Sequence, residues 1–138
     1  ADAIRWSADA GMSEILFVGH IGKLIKVAGG VKNTHSKYGD RRMEIMADCL
    51  PDTLDEQVRN EWTDRIFGCN TTEEALEYLK SWGICDQVMH TAVSRMQRYM
   101  KQWAGGNCDV QVVTFSTVYG ILGKTSDSDR MIERWRQS

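Results

Sequence analysis

The sequence predicts a helix-rich α/β fold with a few-stranded, mainly parallel sheet, packed by several helices as one part of a larger fold. A continuous apolar run at residues 15–20 has the length and composition of a strand buried on both faces, and glycines lead from it into a helical pattern. A second β-branched run, residues 110–116, follows a long helical stretch, which favours a parallel pairing. Because two strands alone make no stable sheet, helices or residues outside this chain must complete the core.

The N-terminal part is expected to contain a helix on each side of the first strand. Residues 1–10 are predicted as a helix that ends at Gly11. A short helix over residues 22–28 is expected to follow the strand and to end at the Gly29-Gly30 pair. The next stretch, residues 32–37, is too polar for a core and is predicted as a loop.

Amphipathic patterns predict four helices in the middle of the chain, over residues 40–50, 53–67, 71–82 and 84–103. Pro51 ends the first helix, because proline disfavours helical geometry in the residue before it. The second and third helices are each expected to open with a capping box, Thr53-x-x-Glu56 and Thr71-x-x-Glu74.

The C-terminal part is predicted to add a short third strand over residues 118–122 and a helix over residues 126–137. Either Ser126 or Ser128 can cap this last helix. The whole chain, residues 1–138, is expected to be a single domain, with residues 126–138 as a charged surface tail.

The composition is that of an ordinary globular domain, with 138 residues of which 42% are hydrophobic and 26% are charged. No apolar run is long enough to cross a membrane, so no membrane partner is expected. The four cysteines form no CxxC pair and are expected to be free, mostly buried thiols in a reducing cytoplasm: Cys49, Cys69, Cys85 and Cys108.

The charge is distributed unevenly along the chain. The formal net charge is −2, yet residues 15–42 contain six basic residues and a single acid, Asp40. A local positive field inside an acidic protein indicates a bound anion. Binding of duplex DNA needs a wider basic surface, so no nucleic-acid partner is expected.

Glycines and lysines mark the point where the first strand passes into a helix. Gly19 and Gly22 flank His20, and Lys23 and Lys26 follow on one helix face. Glycines let a ligand approach the backbone, and a helix N-terminus favours anions. The spacing is not that of a P-loop, and the alternative interpretation is a tight turn with solvated lysines.

A second polar cluster follows in the predicted loop, with side chains that both donate and accept hydrogen bonds: Asn33, Thr34, His35 and Ser36. Arg41, Arg42 and Glu44 come shortly after it. Arginine suits bidentate binding of carboxylates, so the cluster is interpreted as a polar wall for a ligand with several carboxylates. Alternatively, Thr34 or Ser36 only caps the next helix.

The histidines raise the questions of metal binding and of acid–base chemistry. His20 and His35 have no third ligand at a typical spacing, so no protein-held metal is expected. Imidazole titrates near neutrality, which makes both residues candidates for moving a proton. His90 lies among apolar residues of the longest helix and is interpreted as a packing or surface residue.

Several motifs together resemble the cobalt-precorrin-5B C(1)-methyltransferase family, the CbiD type, of anaerobic cobalamin biosynthesis. They are GHIGK at residues 19–23, AxG at 28–30, NTHS at 33–36 and D-x-R-M-E at 40–44. The runs NTTEEALEYL at 70–79 and VQVVTFSTVYGILG at 110–123 are also similar to the closing region of that family. The resemblance spans nearly the whole chain, but it covers only the C-terminal portion of the family's longer sequences.

The resemblance implies a methyl transfer from S-adenosylmethionine to C-1 of a cobalt-containing tetrapyrrole. The partners implied are this substrate and the N-terminal portion of the same protein; without that portion the isolated chain is expected to be inactive. His35 and His20 are the catalytic candidates. The binding candidates are Gly19, His20, Gly22, Lys23, Lys26, Asn33, Thr34, Ser36, Arg42 and Glu44.

Two other interpretations stay open at this point. The chain could be a phosphate- or nucleotide-binding α/β module without methyl-transfer chemistry, or a structural domain whose polar cluster only caps helices. All three interpretations can be compared by geometry, because a shared anion site requires Lys23, Lys26 and Arg42 to face one cleft at the carboxyl end of the first strand. The oligomeric state is not predicted by the sequence.

Overall fold

The computed structural model describes residues 3–9, 12–30, 41–105 and 108–137, with the backbone alone for residues 3–9, 12 and 13. Its sheet has four strands in the order β1-β2-β3-β4, which span Ala3–Asp9, Met12–His20, Cys108–Ser116 and Gly120–Lys124. The two central strands, β2 and β3, run parallel and pair from Ser13↔Cys108 to His20↔Phe115. This pairing confirms the predicted parallel contact between the two apolar runs.

The sheet is mixed, which corrects the expectation of a mainly parallel one. Strand β1 pairs antiparallel with β2, and β3 pairs antiparallel with β4. The reason is the length of the connections. Few residues separate β1 from β2 or β3 from β4 in the chain, and parallel strands need a crossover of a dozen residues or more. Only the long helical segment between β2 and β3 allows a parallel pair.

The predicted helix over residues 1–10 is wrong, because Ala3–Asp9 forms β1. In this run the apolar residues Ile4, Trp6 and Ala8 alternate with polar neighbours, which is the period of a strand and not of a helix. The register from Asp9↔Met12 to Ala3↔Val18 gives the segment a full ladder of backbone partners along β2. That ladder decides the structure of a segment whose alanines alone favour a helix.

Six helices accompany the sheet in the described part of the chain, and all the other predicted helices are confirmed. They span Ile21–Ala28 (α1), Arg42–Asp48 (α2), Glu56–Phe67 (α3), Thr72–Ser81 (α4), Cys85–Trp103 (α5) and Ser128–Gln137 (α6). Thr71 caps α4 as predicted, since its hydroxyl accepts a hydrogen bond from the backbone N–H of Glu74. For α3 the predicted cap was wrong: the carboxylate of Asp55 caps the helix, two residues after Thr53.

The main core lies between one face of the sheet and α5. Val88, Ala92 and Met96 of α5 are fully buried, as the predicted stripe requires, and they belong to one cluster with Ile25 of α1 and Val112 of β3. This packing holds α1 against the sheet, so the point where β2 becomes α1 is set in a rigid framework.

The opposite face of the sheet carries a second, smaller cluster. Met131 of α6 is fully buried there with Leu16 of β2 and Val113 of β3. Arg134 of the same helix pairs with Glu14 and lies 3.5 Å from Asp109. The residues expected to form a charged surface tail therefore include a helix that packs on the sheet through Met131, with Ile132 and Trp135 beside it.

Candidate functional site

The carboxyl end of β2 opens onto a cavity of about 660 Å³, here called the β2–α1 cavity. Its wall includes His20, the last residue of β2, and Gly22, Lys23 and Lys26 of α1. Arg42 of α2 and Glu73 of α4 contribute charged groups from two further helices. This is the edge of an α/β sheet at which ligands usually bind, because backbone N–H groups and loop residues converge there.

His20 ends β2 and caps α1 with its own side chain. Its backbone is extended, with φ −68° and ψ 139°, and its Nδ1 accepts a hydrogen bond from the backbone N–H of Gly22 at 3.0 Å. The sequence folds in this way locally because Ile21, between the two residues, is fully buried and turns α1 towards the core. One of the N–H groups at the start of α1 is therefore used by the protein itself.

Gly22 packs closely against its neighbours at this turn. A Cβ atom at this position would lie 3.2 Å from Nδ1 of His20 and 3.3 Å from Oγ1 of Thr72. Its carbonyl oxygen is 3.5 Å from Nη1 of Arg42, a long contact that connects α2 to the start of α1. Gly22 is thus the point at which β2, α1, α2 and α4 approach one another.

Glu73 faces His20 across the cavity. Its Oε1 lies 3.4 Å from Nε2 of His20, and the edge of the His20 ring meets Phe115 at 5.8 Å between centroids. About 30% of the Glu73 side chain is exposed, yet both carboxylate oxygens are covered and accept no hydrogen bond within the described part of the chain. The exposed part is therefore the methylene stem, and the carboxylate is turned inward.

The structure brings five predicted site residues together: His20, Gly22, Lys23, Lys26 and Arg42 all line the β2–α1 cavity. The expectation that Lys23, Lys26 and Arg42 share one cleft is met by this arrangement. Gly19 is buried in β2, one residue before the cavity, and its carbonyl oxygen accepts a hydrogen bond from Thr114 at 3.1 Å.

Glu44 lies elsewhere, although the sequence placed it with the same site. It lines a second cavity of about 600 Å³ at the other end of α1, where it pairs with Arg41 at 3.3 Å. Arg42 and Glu44 are two residues apart on α2, and a helix turns through about 200° over that distance, so the two side chains leave opposite faces.

Four further predicted residues, Asn33, Thr34, His35 and Ser36, lie outside the described residues. Sequence reasoning missed Glu73 and Thr117, which also line the β2–α1 cavity. The only local indication for Glu73 is its position in the first turn of the helix that Thr71 caps. An acidic residue there is expected to stabilise the helix N-terminus, so its position does not indicate a binding site.

The second cavity is rich in arginine, and each of its four arginines contacts a group within the chain; for Arg98 this group is the Tyr99 ring. Arg95 pairs with Asp48 at 2.6 Å, and Arg41 pairs with Glu44. Arg59 donates to the carbonyl oxygens of Leu50 and Pro51 in the segment after α2. These pairs tie α2, α3 and α5 together, so the arrangement is explained by packing between helices.

Nowhere in the described ranges do three or more His, Cys, Asp or Glu side chains meet in a way that could hold a metal ion. None of the helices described above combines the length and the apolar character that a membrane crossing needs.

The family model for the C-terminal domain of CbiD matches residues 33–126. The chain belongs to this family. The match confirms the resemblance and contains the NTHS and D-x-R-M-E motifs, whereas the GHIGK motif at residues 19–23 lies before its first residue. It covers α2 to α5, β3 and β4 completely, and these include Arg42 and Glu73 of the β2–α1 cavity. Strand β2 and helix α1, with the other charged residues of that cavity wall, precede the matched range.

Curated relatives of the CbiD family are similar over most of this chain. The cobalt-precorrin-5B C(1)-methyltransferase of Listeria monocytogenes is 37% identical over 131 residues, which is 89% of this chain and 33% of that protein. Those of Fusobacterium nucleatum and Clostridioides difficile are both 36% identical, over 86% and 94% of this chain and 30% and 32% of theirs. The chain therefore spans about a third of the length of the curated relatives it matches. No solved structure matches it significantly.

Proposed function

We propose that this chain supplies part of the substrate cleft of a cobalt-precorrin-5B C(1)-methyltransferase, and that the β2–α1 cavity holds a carboxylate-bearing edge of the cobalt-containing tetrapyrrole. The observation that carries the proposal is the convergence of Lys23, Lys26 and Arg42, from two helices, on one cavity at the carboxyl end of β2. Cations suit the carboxylates that surround such a macrocycle, and arginine can bind a carboxylate through two hydrogen bonds.

The methyl donor in this proposal is S-adenosylmethionine, which supplies an electrophilic methyl group when it is bound. Lys23, Lys26 and Arg42, here called the cationic wall, could bind a carboxylate of either the donor or the tetrapyrrole. We assign the cationic wall to the tetrapyrrole, because a substrate with several carboxylates can use several separate cations. The contribution of this chain is then to bind and orient the ring. Correct orientation of two reactants lowers a reaction barrier by as much as roughly 7–11 kcal/mol.

The proposal also covers the activity of the isolated chain, the acid–base residue and the cellular location. Since it spans about a third of its relatives, we expect the isolated chain to bind substrate without turning it over. His35 stays the proposed acid–base residue, and a cytoplasmic location fits the four free thiols, Cys49, Cys69, Cys85 and Cys108.

The test is a binding titration of the 138-residue chain with a cobalt corrinoid that carries free acetate and propionate groups, followed by its visible absorbance. Lys23→Ala and Arg42→Ala are each expected to weaken binding by about tenfold or more, because a hydrogen bond to a charged group is worth roughly 1.5–3 kcal/mol. Lys101→Ala is the matched control, since Lys101 is an exposed cation in the last turn of α5, outside the cavity wall.

The alternative function is an anion-binding module for phosphates or nucleotides. In the same titration ATP is added as a competitor at increasing concentration. Displacement of the corrinoid by ATP at lower concentration than by a free corrinoid polycarboxylate would favour the nucleotide module. Equal binding by the wild-type chain and by both cavity variants would remove the β2–α1 cavity as the substrate site.

A further inference from the structure

We propose that Glu73 is a positioning residue for His20, and that the pair holds the start of α1 in place instead of making His20 a base. The proposal deepens the proposed function, because it concerns the same β2–α1 cavity. It rests on contacts within the chain that exist before any ligand binds.

The first step is the state of Nδ1 of His20. This nitrogen accepts a hydrogen bond from the backbone N–H of Gly22 at 3.0 Å, so it carries no proton in this arrangement. A neutral imidazole has one N–H group, and the proton must then be on Nε2. His20 consequently has no lone pair left with which to take a proton from a ligand unless the cap on α1 breaks.

The second step is the direction of Nε2. It faces Oε1 of Glu73 at 3.4 Å, a polar contact that is longer than a good hydrogen bond. Both oxygens of Glu73 are covered, and no other donor in the described segments reaches them. A covered carboxylate without a donor is unfavourable, so the N–H of His20 is the group that compensates it.

The third step is what the pair holds in place. Gly22 donates its N–H to His20, and its carbonyl oxygen faces Arg42 of α2. A chain of polar contacts therefore runs from Arg42 through Gly22 and His20 to Glu73. It sets the spacing between the cationic wall on α1 and α2 and the opposite wall on α4. The phenyl ring of Phe115 packs against the imidazole ring in a T-shaped contact.

The direct test is the tautomer of His20 in the 138-residue chain, measured by long-range ¹H–¹⁵N NMR at neutral pH. We expect the Nε2–H tautomer, together with slow hydrogen exchange of the Gly22 amide. An Nδ1–H tautomer would overturn the proposal, because Nδ1 could not then accept from Gly22. This measurement needs no variant and no ligand.

Variants at position 73 test whether Glu73 acts through His20. Glu73→Ala is expected to speed exchange of the Gly22 amide by about tenfold, the size of effect that a lost hydrogen bond produces. Glu73→Gln is expected to restore slow exchange, because its amide oxygen still accepts from Nε2–H. Glu77→Gln, one turn further along α4 and outside the cavity wall, is the matched control for charge. The proposal would be overturned if Glu73→Gln and Glu73→Ala speed exchange of the Gly22 amide equally while Glu77→Gln leaves it unchanged. That result would show that only the charge of Glu73 matters.

Variants at position 20 separate the two ring nitrogens. Asparagine places an oxygen near the position of Nδ1, so His20→Asn is expected to keep the Gly22 amide protected, whereas His20→Gln is expected to lose this protection. The reverse order would overturn the proposal. None of these measurements involves the methyl donor or the tetrapyrrole, so a negative result here would not contradict the proposed function. Conversely, a wild-type chain that fails to bind the corrinoid would contradict the proposed function but not the positioning role of Glu73.

Discussion

The hydroxyl group of Thr114 donates a hydrogen bond to the carbonyl oxygen of Gly19 across 3.1 Å, and the bond is completely buried between the two central strands. Gly19 and Thr114 are also partners in the parallel register of β2 and β3. The bond lies one residue before His20, so it supports the backbone from which the β2–α1 cavity is built.

Thr114→Val is expected to destabilise the chain by about 1–3 kcal/mol, because the shape is kept while a buried carbonyl group loses a donor. Urea denaturation of the purified variant gives the free energy of unfolding directly. Thr114→Ser keeps the hydroxyl group and is expected to recover part of the loss. A valine variant as stable as the wild type would mean that the Gly19 carbonyl is satisfied by other groups.

Met131→Ala is expected to cost about 2–5 kcal/mol, the usual range for truncating a fully buried methionine. Met131 is the buried apolar residue that joins α6 to Leu16 and Val113, so its loss should also release the helix from the sheet. Limited proteolysis with detection of cuts inside residues 128–137 measures this release. Met131→Leu, which nearly conserves volume, should cost less than about 1.5 kcal/mol, and equal cutting of the wild-type and alanine chains would contradict the anchoring role.

Gly29→Ala is expected to destabilise the turn after α1 by about 1–3 kcal/mol through overpacking. A Cβ atom there would lie 2.5 Å from Cδ1 and 2.7 Å from Cγ1 of Ile45, which is itself buried. The backbone at Gly29, with φ −92°, suits any residue, so the cost is steric. A double-mutant cycle with Ile45→Ala should show coupling, since the clash disappears once Ile45 is shortened. Simple additivity of the two changes would exclude the clash as the cause.

The Cys49 thiol should make stability fall in alkaline solution. Burial raises the pKa of Cys49 to about 11, from an ordinary value of 9.0, and Arg95 nearby opposes the shift only in part. Between pH 9 and 11 the unfolded chain loses this proton while the folded chain keeps it, so the free energy of unfolding decreases as pH rises. Two pH units correspond to about 2–3 kcal/mol.

The measurement is the difference in pH dependence between the wild type and Cys49→Ala, by urea denaturation from pH 8 to 10.5. Taking this difference cancels the contributions of Cys69 and Cys85, whose pKa values burial also raises. Cys108→Ala is the control at a half-buried position. Parallel curves for wild type and Cys49→Ala would show that the thiol ionises equally in both states.

Most of the fold follows from local patterns in the sequence. The stripe of α5, the cap at Thr71 and the glycine pair after α1 all depend on neighbours within a few residues, and each is confirmed. Strand β1 was misjudged because its alternation is short and its alanines favour a helix, while the partner strand that stabilises it gives no signal within the segment itself.

In the candidate site, too, the residues that are close in sequence could be predicted and the distant ones could not. His20, Gly22, Lys23 and Lys26 belong to one strand–helix unit, so their convergence could be predicted from spacing alone. Glu73 comes from a helix about fifty residues later, and only the packing of α4 beside the start of α1 brings it to His20. The direction of a side chain on a short helix is a further source of error, as the separation of Glu44 from Arg42 shows.

The parallel pairing of β2 with β3 has a consequence for the way the chain reaches its native state. Partners in this ladder are 95 residues apart, as for Gly19 and Thr114, so the centre of the sheet is a contact of very high sequence separation. Bringing such distant segments together costs entropy before any pairing energy is gained. The helices between them can form from local contacts, and α5 then offers a surface on which β3 meets α1 and β2. The ladder that carries the cavity should therefore assemble late, and the folding rate should be limited by this contact order.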